Sequence, residues 1–179
     1  SLSRYLLFIL FLFTFVLGFT QTKLIELTFE NPGRYSTSIT EFTDYNFQPT
    51  GTDGRDYFIR TDGSNIRAER FDNKQGSYYF TGQDIDGEGA VLPSHLFINN
   101  INISGYSNIE FRVHLAEDDA TGEHWDRNDY VHFIYDIDNS GTFSNLIWLA
   151  TNANGPNQSN RVPQIDTDFD DIGDGPDIT

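Results

Sequence analysis

The chain has 179 residues, with 27 Asp and Glu against 11 Lys and Arg, which gives a formal net charge of −16 at pH 7. So acidic a surface repels polyanions, which argues against nucleic-acid contact by this region. Cys and Met are both absent, which excludes disulfides, thiolate nucleophiles and Cys-ligated zinc or iron–sulfur sites. Hydrophobic residues make up 37% of the chain and aromatic residues 15%, which is enough to bury the core of one domain.

The first twenty residues have the pattern of a signal peptide. Arg4 precedes an almost wholly apolar stretch, residues 5–19, and the small residues Gly18 and Thr20 predict cleavage before Gln21. The apolar stretch is shorter than the roughly 20 residues that a helix needs to cross a bilayer. We therefore expect export to the cell surface or beyond, without a stable membrane anchor. Because Cys is absent, a lipoprotein anchor is excluded.

Residues 21–179 alternate short strand patterns with turn-forming clusters of Asn, Asp, Gly and Ser. The strand predictions cover residues 23–30, 57–60, 77–81, 96–101, 109–115, 130–135 and 146–150. The alternation of apolar and polar residues is cleanest at 109–115, where Glu110, Arg112 and His114 share the polar face. No amphipathic helix of useful length is apparent. We predict one all-β domain, an antiparallel β-sandwich of jelly-roll type.

An acidic loop near the end of the chain, residues 166–175 (DTDFDDIGDG), is the strongest metal-binding candidate. Its predicted ligands are Asp166, Asp168, Asp170 and Asp174. In a tight loop, alternate carboxylates turn toward one centre, where a hard cation such as Ca²⁺ relieves their repulsion. The spacing resembles the calcium loops of EF-hand-like and thrombospondin type 3 repeats. Asp171 stands where those loops have glycine, although Asp tolerates the left-handed conformation better than most residues.

A second metal candidate is formed by Asp84, Asp86 and Glu88 in the sequence DIDGEG, but it lacks the Glu at the twelfth position that completes an EF-hand. Residues 136–141 (DIDNSG) lie between two predicted strands, which favours a simple hairpin turn.

The segment 117–129 is also rich in carboxylates. It could form a metal site or a pair of carboxylates for glycosidase-like acid/base chemistry, or it could be a solvated loop. The solvated loop is favoured, because nothing identifies which carboxylates would pair. Trp125 in this segment, with its neighbours His124 and Asp126, is a candidate for contact with a ligand. His114 and His132 would meet if their strands paired. No nucleophile triad, P-loop or dinucleotide fingerprint is present, and we assign no catalytic residue.

Several short motifs together resemble the N-terminal β-sandwich module, a galactose-binding-like jelly roll, of secreted bacterial multidomain proteins. They lie at residues 29–30 (FE), 56–65 (DYFIRTDGSN), 84–90 (DIDGEGA), 103–106 (ISGY), 115–119 (LAEDD), 125–126 (WD), 129–131 (DYV), 135–138 (YDID) and 166–170 (DTDFD). In the family, this module commonly precedes lamin-tail-like, extracellular endonuclease or adhesion domains, and a sorting tail for type IX secretion follows. Family members continue past the acidic loop into further strands and have glycine at the position of Asp171. Since the chain also lacks an initial Met, we expect it to be incomplete at both ends.

Together these features predict a secreted, calcium-stabilised binding or accessory module for extracellular polysaccharide or a cell-surface glycan, with a role in adhesion. The alternative is the non-catalytic leading part of a secreted hydrolase, such as a nuclease or phosphoesterase. A purely structural surface-layer component is the third interpretation. Calcium suits a chain with no disulfides and a large negative charge, because extracellular sites of about millimolar affinity are filled.

Overall fold

The computed structural model describes residues 21–43, 57–66, 71, 74–83, 85, 91–116, 125, 129–152 and 162–178. Apart from one 3-10 turn at Pro32–Arg34, the regular structure in these ranges consists of eight strands. They are β1 (Ser36–Thr37), β2 (Phe42–Thr43), β3 (Tyr57–Thr61), β4 (Tyr79–Gln83), β5 (Leu96–Phe97), β6 (Tyr130–Tyr135), β7 (Ser144–Thr151) and β8 (Pro163–Asp166). Every strand pairing is antiparallel, which confirms the all-β class. In the described ranges there is no helix long and apolar enough to cross a membrane.

The strands form three small sheets. β1 pairs with β5, the second sheet has the order β2-β3-β4, and the third has the order β6-β7-β8. In the third sheet His132 lies opposite Trp148, and Trp148 lies opposite Asp166. Residues directly opposite each other share one face of a sheet, so these three side chains occupy the same face.

The connection between β6 and β7 confirms the hairpin turn predicted at residues 136–141. The Asp136 carboxylate accepts hydrogen bonds from Ser140 N at 3.0 Å, Ser140 Oγ at 2.7 Å and Gly141 N at 2.8 Å. Asp138 and Asn139 have φ of 63° and 53°, a left-handed conformation that their short polar side chains tolerate. The Asp136 carboxylate is therefore occupied in organising the turn.

Among the residues that the structure describes, the buried apolar side chains lie in the second and third sheets. Tyr57 and Phe58 of β3, and Leu149 and Ala150 of β7, are almost fully buried. The Phe58 ring meets Phe80 edge-on, with the centroids 4.8 Å apart. Such aromatic contacts add specific geometry to the burial of apolar area.

Two of the predicted strands are wrong. Residues 23–30 and 109–115 both lie outside the strands of the structure. The first segment is instead attached by side chains: Arg60 donates to the carbonyl oxygens of Phe29 and Glu30. The other predicted strands all overlap observed ones, with shifted bounds at residues 77–81 and 146–150 and shortening at 96–101. Alternation makes a segment suitable for a strand, but a strand also needs a neighbour to pair with.

Candidate metal centre

The centre begins where β8 ends, at Asp166. This side chain is 1% exposed, although Asp is among the residues least often buried. Its Oδ1 accepts from Phe169 N at 2.7 Å and Asp170 N at 3.3 Å, and its Oδ2 accepts from Asp171 N at 2.9 Å. The sheet therefore places one carboxylate in the interior, and that carboxylate organises the first turn of the acidic loop.

The loop then folds back onto β7 and β8, and two glycines permit the close approach. Gly173 N donates to Thr151 O at 3.2 Å, and Gly175 N donates to Ile165 O at 2.8 Å. A Cβ at Gly173 would lie 2.4 Å from Ala150 O, and one at Gly175 would lie 2.7 Å from Ile165 O. Both distances are too short for a real side chain, so the path of the loop requires glycine at these positions.

This fold-back brings three carboxylates together. Asp166, Asp168 and Asp174 each offer an oxygen, and these oxygens lie within 4.8 Å of one another. Asp174 is held by Thr167, whose backbone N–H and hydroxyl both donate to its carboxylate at 2.9 Å. We call Asp166, Asp168 and Asp174 the acidic triad.

The electrostatics of the triad are unfavourable without a counter-charge. Desolvation raises the pKa of Asp168, and the charges of Asp170, Asp174 and Asp166 raise it further. In contrast, the hydrogen bonds from Thr167 lower the pKa of Asp174. Asp174 is therefore held in its charged form, and Asp168 stands in the repulsive field of its neighbours. The donor set consists of hard carboxylate oxygens on a loop, which fits Ca²⁺ and excludes a soft-metal site.

The other predicted members of the loop have different positions. Asp170 lies outside the triad, and its Oδ1 accepts from Ile172 N at 3.0 Å. Asp171 has φ of 69°, so the position where related loops have glycine is indeed left-handed here. Phe169 has φ of 64°, which is unusual for a large side chain.

A stack of aromatic rings lies beside the triad. The His132 ring lies parallel to Trp148 with centroids 3.6 Å apart, and Tyr130 stacks on His132 at 4.5 Å. Phe169 of the acidic loop meets the Trp148 ring edge-on at 5.3 Å. His132 Nε2 lies 2.8 Å from Asp171 Oδ1, an ion-pair distance, but without hydrogen-bond geometry.

Sequence reasoning missed this stack and the role of Thr167. The stack depends on the pairing of β6 with β7 and on the path of the acidic loop, and no sequence pattern pointed to Thr167 as a partner of Asp174. His132 faces Trp148, and residues 109–115 form no strand, so the strand pairing that would bring His114 to His132 does not occur.

Of the remaining predicted site residues, the structure describes Trp125 alone. Asp84, Asp86, Glu88, His124 and Asp126 lie outside the described residues. Trp125 is half-buried, and its contact with a ligand stays a prediction.

Comparison with known proteins finds no match: no protein family, curated protein or solved structure is similar to this chain. The resemblance to the module of secreted bacterial proteins therefore stays a prediction.

Proposed function

We propose that this chain is a secreted, calcium-stabilised β-sandwich module of jelly-roll type that binds an extracellular glycan. The observation that carries the proposal is the convergence of the acidic triad at the end of β8. A bound Ca²⁺ ties the end of β8 to the fold-back segment that covers β7, and so stabilises the third sheet. Asp166 and Asp174 are already positioned by backbone and Thr167 donors, which lowers the entropic cost of binding.

The charge balance of the chain supports calcium as the ligand. With a net charge of −16 and no Cys, the domain gains from a divalent cation that neutralises carboxylates and cross-links a loop. Outside the cell, calcium is abundant enough to fill even weak sites of about millimolar affinity. Ligand binding to the native state alone stabilises that state by mass action.

The ring stack supports a glycan as the partner. Tyr130 stands at the outer end of the stack and is 44% exposed, while its inner face rests on His132. A flat ring held by other rings offers a rigid apolar surface of the kind that packs against the apolar face of a pyranose. The triad borders the same face, because Trp148 lies opposite Asp166 in the sheet register. Calcium binding and glycan binding are therefore adjacent in this proposal.

The test uses the full chain, expressed in a bacterial host that exports it. We expect the purified product to begin at Gln21 by N-terminal sequencing. The product is then applied to a glycan array in Ca²⁺ and in chelator. Tyr130→Ala should abolish any binding that the wild type shows. Tyr135→Ala removes a ring of similar exposure, 42%, outside the stack, and should leave binding intact.

Four results would count against the proposal. Retention of the first twenty residues inside the host contradicts export. A melting temperature unchanged between Ca²⁺ and chelator contradicts the metal centre. Equal loss of glycan binding in both tyrosine variants, or no binding to any glycan, contradicts the ring stack as the recognition surface.

A further inference from the structure

Residues 109–115 form a segment with the pattern of a strand and no strand partner. Ile109, Phe111, Val113 and Leu115 are 53%, 39%, 39% and 48% exposed. Within the described part of the chain, no backbone group of this segment hydrogen-bonds to another backbone group. Unpaired N–H and C=O groups beside exposed apolar side chains are the features by which a strand edge recruits another strand.

The described contacts of the segment are made by side chains and leave its backbone groups without a described backbone partner. Gln21 Nε2 donates to Glu110 Oε2 at 2.8 Å. Among the described residues, the ring of Phe111 meets Phe133 of β6 with centroids 5.5 Å apart. Arg112 Nε lies 2.6 Å from Glu110 Oε1, and Arg112 Nη2 lies 3.1 Å from Glu110 Oε2. The Glu110–Arg112 pair places both charged side chains on one side of the segment, as expected for residues two apart in an extended chain.

We propose that residues 109–113 of two copies of this chain pair as antiparallel strands, about a two-fold axis through Phe111. In this register Glu110 of each copy lies opposite Arg112 of the other, and Ile109 lies opposite Val113. The charges are therefore complementary on one face, and the apolar residues meet on the other. A two-fold interface of this kind is built from one self-complementary segment, and cross-strand pairs of opposite charge favour it.

The neighbouring registers are unfavourable, which makes the proposal specific. An axis through Arg112 sets the two Arg112 side chains against each other, and like charges directly opposite destabilise a strand pair. An axis between Phe111 and Arg112 places apolar residues opposite charged ones, because a shift of one residue exchanges the faces of a strand. Of these three registers, only the axis through Phe111 satisfies both faces.

The register is tested with single cysteines, which are unambiguous because the chain has none of its own. Phe111→Cys places the two thiols across the axis, with Cα atoms about 4.5–5.5 Å apart, within disulfide range. Val113→Cys is the matched control, because its two copies lie about 13 Å apart along the strands and should not cross-link. Equimolar Ile109→Cys and Val113→Cys should cross-link to each other.

A second test does not depend on oxidation or on the Phe111 contact. Glu110→Arg makes both charged positions basic, and Arg112→Glu makes both acidic. Each variant alone should sediment as a monomer, since like charges then oppose each other across the axis. A mixture of the two should dimerise, although neither chain retains its internal Glu110–Arg112 pair.

The exported wild-type chain should sediment as a dimer at micromolar concentration and about 0.15 M salt, where screening shortens the range of the general repulsion to about 8 Å. A wild-type monomer would overturn the proposal. So would a mixture of the charge variants that stays monomeric, or cross-linking of Val113→Cys as rapid as that of Phe111→Cys. The proposal is independent of calcium and glycan binding, and the failure of either leaves it standing.

Discussion

Replacing Asp168 by Asn should have opposite effects with and without calcium. Asp168 is an exposed member of the triad, and its pKa is raised by desolvation and by the charges of Asp170, Asp174 and Asp166. Above that pKa the native loop holds a carboxylate that repels its neighbours. In chelator, Asp168→Asn should therefore melt at the same temperature as the wild type or higher, because the variant removes this repulsion without removing a backbone contact.

With calcium, the same variant should lose the stabilisation that the wild type gains. A loop site with a Kd of about 0.1–1 mM, at about 5 mM Ca²⁺, stabilises the native state by about 1–2 kcal/mol. For a domain of this size the gain corresponds to about 2–8 °C in Tm. Asp168→Asn removes one of three carboxylates, so the calcium-dependent shift should fall to near zero.

The assay is a thermal melt followed by circular dichroism, with the exported chain in chelator and in Ca²⁺. Asp138→Asn is the matched control. It makes the same chemical change in another loop, at a left-handed residue with φ of 63°, where Asn is equally tolerated. In chelator, the difference in melting temperature between the wild type and Asp168→Asn should vanish as the pH falls through the Asp168 pKa, since the native carboxylate then becomes neutral. An unchanged calcium shift in Asp168→Asn, or its loss in Asp138→Asn, would refute the reasoning.

Two further predictions concern the scaffold around the site. Gly173→Ala should destabilise the chain by about 1–3 kcal/mol in a urea titration and abolish the calcium shift, because its Cβ would stand 2.4 Å from Ala150 O; an unchanged midpoint would contradict the tight fold-back. Glu30→Gln should remove one acid-sensitive component of stability, because hydrogen bonds from Tyr78 N and Ser77 N lower the pKa of Glu30. The contribution of Glu30 to stability is fully present above its ordinary pKa of 4.5 and is lost as the pH falls through its lowered native pKa. Equal pH dependence of the urea midpoint in wild type and variant would contradict this prediction.

Local turn chemistry was predictable because its causes lie within a few residues. The Asp136 turn follows from a short side chain that accepts hydrogen bonds from nearby backbone, and Asp171 is of a residue type that tolerates the left-handed conformation found there. The clustering of Asp166 and Asp168 was likewise implied by spacing. The sequence could not show that Asp174 belongs to the acidic triad and that Asp170 does not. Thr167 and the fold-back of the loop decide which carboxylates turn inward.

Strand formation shows the limit of pattern most clearly. Residues 109–115 have the cleanest alternation in the chain, yet they stand outside every sheet, whereas residues 130–135 form β6. The two segments differ in what lies beside them, since β6 has β7 as its hairpin partner. A backbone ladder belongs to two strands at once, and the pattern of one strand contains no information on where the other is.

The amino-acid sequence by itself determined the all-β class, the acidic character of the last loop and the hairpin between β6 and β7. These properties depend on side-chain period, charge and short-range hydrogen bonds. Tertiary structure alone decided that Asp166 is buried, that His132 stacks on Trp148 and that Gly173 must lack a side chain. Each of these depends on how separate segments of the chain are aligned with one another, because burial and close approach are properties of pairs of segments.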